Sequence, residues 1–131
     1  MAPPGKRVRS SPTTAANFLA KAEQFLAEGK EALTSQHFDS ALLLAIHAAI
    51  SANDAATSHV GQVRSTDPDH LRAADLLQSV TGDGERARQL RGLIGLKNEV
   101  EYQSARTSAK AATDGIARSE RFVGWVREML H

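Results

Sequence analysis

Residues 38–59, "FDSALLLAIHAAISANDAATSH", decide the fold. Set at 100° intervals, Leu42, Leu44, Ala45, Ala48, Ala49, Ala52 and Ala56 cover most of the circumference of a helix. A helix that is apolar on nearly every side is covered by neighbours, so this segment predicts the central member of a helical bundle. Its polar residues His47, Ser51, Asp54 and Ser58 fall on one narrow stripe with the spacing i, i+4, i+7, i+11. Polar groups on such a helix are costly without partners or water, so the stripe should face a cleft or a second polar line. A solvated outer face or a buried structural network is the simpler alternative. Asn53 lies off the stripe, on the apolar side, where a buried amide bonding to a neighbouring helix is expected.

The segments on either side also carry a helical period. A first helix over about 14–35 places Phe18, Ala22, Phe25, Leu26, Ala32 and Leu33 on one face, with Gly29 in the same line where a neighbour can approach closely. "STDPDH" supplies Asp67 as an N-cap and Pro68 as the first residue of a shorter helix that runs to about Val80. "TGDG" then breaks the chain, a fourth helix follows over about 85–102, and a fifth over about 107–130 buries Ile116, Phe122, Val123, Val126, Met129 and Leu130. No segment alternates with period two, so no strands are expected. The fold class is all-α: a single-domain up-and-down bundle of four long helices and one short one over residues 13–131. Residues 1–12, "MAPPGKRVRSSP", are rich in proline and cations and read as a flexible basic arm, either an electrostatic tether for nucleic acid or a solubilising tail.

A chain of 131 residues suits one compact domain. Sixteen basic and fifteen acidic residues leave a formal net charge of +1, so any affinity for nucleic acid must come from a local patch. The absence of cysteine excludes disulfides, thiol catalysis and zinc–thiolate sites, and fits a cytoplasmic setting. No apolar run reaches the roughly 18 residues that span a bilayer, so no membrane partner is expected.

The fourth helix holds the most unusual side chains. Its apolar stripe is Ala87, Leu90, Leu93, Ile94 and Val100, and Lys97 and Glu101 project from the middle of it. Lysine N-terminal to glutamate is the weaker order for an i,i+4 pair, and a few tenths of a kcal/mol do not account for charges at that location. Arg91, Asn98 and Tyr102 share a second stripe, with Gly95 as a bare spot between them. A guanidinium, an amide and a phenol on one wall can bind phosphate, ribose or a base face, and the same residues can equally bridge and pack at a dimer seam. Other chemistry finds little footing. The histidines, His37, His47, His59, His70 and His131, include no H-x-x-x-H, so no zincin or di-iron site, no metal and no cofactor is expected. "VTGDGERARQL" lacks the G-x-x-x-x-G-K-[ST] of a phosphate loop, and no nucleophile elbow is present.

Taken with "RSERFVGWV" in the last helix, the alanine-rich "HFDSALLLAIHAAISANDAA" and the basic residue and asparagine of "LKNEVEY" resemble a HEPN-type domain over about residues 14–130, most closely its small actinobacterial members. The resemblance implies an all-α bundle that dimerises with the fourth-helix motifs facing a shared cleft. In active members that motif reads Arg, a polar residue, three more residues and His, and cleaves RNA without a metal. Here Lys97 takes the arginine position, Asn98 the polar position and Tyr102 the histidine position. Lysine holds a phosphate as a point charge where arginine clamps it with two donors. A phenol, which titrates near 10, is a poor general base at neutral pH.

The resemblance therefore implies a homodimeric module that binds RNA or a nucleotide through Arg91, Lys97, Asn98 and Tyr102, supported by Ser51, Asp54 and Glu101, without efficient catalysis. One alternative is a metal-independent ribonuclease or toxin component whose catalytic candidates are Lys97, Tyr102 and His47. Another is a structural adaptor or antitoxin-like subunit with a nucleotidyltransferase-type partner.

Overall fold

The structure, a computed structural model, describes residues 5–131. Five helices follow one another: α1 (Pro12–Thr34), α2 (Phe38–Gly61), α3 (His70–Thr81), α4 (Gly84–Tyr102) and α5 (Ala109–Leu130). The fold is the all-α bundle that the periodicity predicts. Each helix starts and stops for a local reason. Ser11, Asp69, Asp83 and Ser108 each accept a backbone N–H at the start of α1, α3, α4 and α5, satisfying donors that have no partner inside the helix. Gly82 ends α3 in the left-handed conformation, φ 72°, which costs a residue without a Cβ little.

α2 is the hub and touches each of the other helices. Ala41, Ala45, Ala48, Ala49, Ala52, Ala55 and Ala56 are all fully buried, so backbones come close on several sides and the bulk of the core is delivered by partners. Leu19 and Leu26 come from α1, Leu77 from α3, Leu90 and Leu93 from α4, and Phe122, Val123 and Val126 from α5. The close approach expected at Gly29 is present: a Cβ there would lie 2.9 Å from Ile116 Cδ1 and 3.3 Å from Leu44 Cβ. Two polar contacts are buried within this apolar interior. Asn53 Nδ2 donates to the Ala73 carbonyl at 3.1 Å, the interhelical amide bond anticipated from the sequence, and Ser119 Oγ donates to the Ala45 carbonyl at 2.7 Å.

Four expectations are corrected. The chain does contain strands: β1 (Arg7–Arg9) pairs antiparallel with β2 (Val63–Ser65), with Val8 opposite Arg64. Three-residue strands are too short to display an alternation, and this pairing is set by where the bundle places the two segments. The same pairing orders part of the stretch read as a flexible arm; Ser10 adds a side-chain hydrogen bond to Ser58 at 2.6 Å, while residues 1–4 of that arm lie outside the described residues. Asp69, rather than Asp67, caps α3, which begins at His70. The Asp67 carboxylate instead accepts the Asp69 N–H at 2.9 Å and the Lys6 N–H at 3.2 Å, so Pro68 sits in a turn ahead of the helix. α5 starts at Ala109, two residues later than expected, because Ser108 supplies the cap.

Among the described residues no helix is long and apolar enough to cross a membrane.

Candidate functional site

The polar stripe of α2 is lined on both sides. On one side α1 brings Phe25, whose ring centroid is 6.3 Å from that of His47, and Lys21, which acts electrostatically on Asp54. The other side is formed by β2, the start of α3 and the end of α4. There Arg64 acts on Asp54, while His70, Lys97 and Glu101 surround His47. Ser51 lies half-buried between His47 and Asp54, and Ser58 closes the stripe against Ser10. The stripe therefore runs between these two sets of side chains, with Ser58 at its end fully buried.

At the end of the stripe nearest α4, Lys97 Nζ donates to Glu101 Oε2 at 2.7 Å, and the two side chains are only 19% and 23% exposed. His47 Nε2 lies 4.0 Å from the other carboxylate oxygen of Glu101. The charges embedded in the apolar stripe of α4 are thus covered by α2 and α3 of the same chain. Lys97 holds the Glu101 carboxyl below its ordinary value, with smaller contributions from His47 and the Tyr102 hydroxyl. Burial pushes His47 below the usual imidazole value; the Lys97 ammonium adds to this and Glu101 opposes it. His70 is lowered in the same way, by burial first and then by Lys97. Two neutral imidazoles therefore flank one ammonium near neutral pH, a set that can accept a proton and attract an anion in the same place.

His70 was missed by the sequence reading. Its only local signal is its place at the start of a helix, and what brings it to Lys97 is the α3–α4 hairpin. The residues grouped from the sequence do not all meet. Arg91 turns to α3, donating to Asp75 at 2.8 Å and to Gln78 at 3.1 Å. Asn98 lines a different depression of about 660 Å3 with Glu99, Gln103, Arg106 and Leu42. At its rim Asp39 accepts hydrogen bonds from Thr107 and Arg106, which hold its carboxyl down at about 2. Tyr102 is 74% exposed. Glu128 and His131 form a Glu-x-x-His spacing at the end of α5, but among the described residues no three histidine or carboxylate side chains gather as a metal site.

No protein-family model matches the chain, and no curated protein matches it. The crystal structure of an archaeal HEPN homologue is similar to it with a TM-score of 0.70 at 18% identity, over 89% of this chain and 98% of that one. This chain has a HEPN-type fold. At 18% identity the likeness is one of architecture. Lys97, Asn98 and Tyr102 occupy the last turns of α4. Five residues along a helix turn Lys97 and Tyr102 about 140° apart, so the first points toward His47 and His70 and the second into solvent. One chain of this HEPN-type fold therefore assembles a Lys97, Glu101, His47 and His70 cluster, with Asn98 and Tyr102 on the outer side of the same helix end.

Proposed function

We propose that this HEPN-type module binds RNA or a nucleotide at the end of α4 and does so without efficient cleavage. The observation that carries the reading is the half-buried cluster of Lys97, His47 and His70 around the Glu101 carboxylate. Glu101 occupies the position a phosphate would take against Lys97, so an incoming phosphate exchanges one anion for another with little rearrangement. The same engagement of Lys97 argues against efficient turnover, as does the 74% exposed phenol of Tyr102, a poor general base at neutral pH.

If the reading holds, Lys97→Ala and Asn98→Ala should each weaken binding of a labelled RNA oligonucleotide several-fold while the melting temperature moves by no more than a few degrees. Fluorescence anisotropy alongside thermal melts checks this. Binding that falls only in step with stability would mean that 97–102 is a structural seam. A second reading, metal-independent ribonuclease, is favoured by one observation: the two imidazoles are held neutral beside a lysine, as a general base requires. Cleavage of RNA in EDTA by the unaltered protein, lost in His47→Ala, would establish it in place of the first.

The module acts as a homodimer in this reading. Tyr102 is 74% exposed, and a Cβ added at Gly95, two turns earlier on the same face, would meet nothing within 4 Å, so the outer side of α4 is open to a second chain. Light scattering at tens of micromolar should give twice the chain mass, and Tyr102→Ala should shift the protein toward monomer. A monomer mass at those concentrations removes the shared cleft.

A further inference from the structure

The half-buried ring of Phe18 on α1 carries two cations. Lys21 Nζ is 5.4 Å from its centroid, and the guanidinium carbon of Arg64, which comes from β2, is 5.3 Å from it. Among the described residues neither cation has a carboxylate within ion-pair distance. Both act on Asp54 of α2, but burial outweighs them and pushes its carboxyl up to about 7, so near neutral pH it offsets neither charge fully. Two like charges are thus held against one ring without an anion, and half-buried Arg64 has given up part of its hydration there. Thr14, Asn17, Phe18, Lys21 and Arg64 line a single recess of about 220 Å3. That is below the roughly 300 Å3 at which pockets for drug-sized ligands begin, a size that suits a tetrahedral oxyanion. The wall has the matching chemistry. A guanidinium meets two oxygens at once, an ammonium acts as a point charge, and an amide and a hydroxyl can donate to the oxygens that remain.

We propose that this recess between α1 and β2 is a site for one phosphate group, free or as the terminal monoester of a small molecule, held between Lys21 and Arg64. The site is separate from the α4 cluster and does not depend on it. Lys21 belongs to the bundle and Arg64 to the β1–β2 ribbon, so a phosphate held by both clamps the ribbon to α1. Just beyond the paired strands the Ser10 N–H donates to the Gln62 carbonyl and the Thr66 N–H to the Lys6 carbonyl, each at 2.8 Å, and these two amides report the opening of the ribbon. A ligand bound only by the closed ribbon, at roughly ten times its dissociation constant, lowers the open population about ten-fold.

The test follows hydrogen exchange at the Ser10 and Thr66 amides of the full chain by NMR, in inorganic phosphate, in glycerol phosphate, and in sodium chloride at the same ionic strength. Inorganic phosphate should slow both amides about ten-fold as the site fills, and sodium chloride should not. An equal or larger effect of glycerol phosphate assigns the site to a monoester, a smaller one to the free ion, and both support the site. Lys21→Ala should abolish the slowing at an unchanged melting temperature. Lys21 lies outside the ribbon, so this variant does not loosen it directly; Lys21→Gln, which keeps the stem over Phe18, is the second variant should the first lose stability. Arg64→Lys, which keeps the charge and loses the two-pronged donor, should weaken the effect several-fold, and Lys97→Ala should leave it intact. Equal slowing by phosphate and sodium chloride, or slowing that survives loss of the Lys21 charge, overturns the inference. Slowing lost in Lys97→Ala and kept in the Lys21 variants also overturns it, and supports a phosphate at the α4 cluster instead.

Discussion

Leu93→Ala is expected to lower the free energy of unfolding by about 2 to 5 kcal/mol, the cost of a core cavity that its surroundings only partly fill. Leu93 is fully buried on α4 and shares the main core cluster with Leu90, Phe122 and the α2 alanines. Those alanines have little freedom to close the space, because a methyl group has no alternative rotamer. Ile50→Ala should fall toward the lower end of the same range, since Ile50 keeps 9% of its surface in solvent. Urea unfolding of both variants measures the losses. A loss below half a kcal/mol for each would require the faces of α2 and α4 to be turned away from the core.

The second large effect is a pH dependence. The carboxyl of Asp54, displaced from 3.8 to about 7 mainly by burial, keeps its proton in the folded state over a range where the unfolded chain has already released it. The native state then binds more protons than the unfolded state between about pH 4 and 7, so stability falls as pH rises through that window and the full penalty applies above it. At 1.36 kcal/mol per pH unit, with allowance for partial solvent access, the penalty is about 2 to 4 kcal/mol. Asp54→Asn removes the ionisation. It should raise stability by that amount at pH 8 and change it little at pH 4, measured by thermal melts of both proteins at the two pH values. Equal effects at both would place Asp54 in water with an ordinary carboxyl.

The bundle was legible in the sequence because its helices are long and their apolar stripes repeat over many turns. The same periodicity located Asn53 on the buried side of α2 and Gly29 at a close crossing, since both follow from the angle of a residue around its own helix. Angles alone do not say which helix faces which. His70 joins Lys97 only through the α3–α4 hairpin, and Arg91 leaves the expected wall because Asp75 and Gln78 are brought within reach of it. Phe18 and Phe25 share the apolar face of α1 with Ala22 and Leu26 but do not reach the centre of the core. They lie instead at its margin, half-buried, because Leu19, Ala22 and Leu26 fill the position closest to α2. Positions 97, 98 and 102 lie on one helix end, but a pattern written along the chain does not show that they point in different directions.

The β1–β2 ribbon has a consequence for the order in which the molecule assembles. Arg9 and Val63 are partners across almost half the chain, so their pairing must close a long loop, whereas α1–α2 and α3–α4 form from neighbours. The ribbon offers few backbone bonds and no buried side chain in β1 to reward that closure. It belongs to the last stage of folding and to the first stage of local opening, separate from the cooperative core. Arg64 rides on it, so its contact with the Phe18 ring ties the beginning of the chain to α1 and is released whenever the ribbon opens.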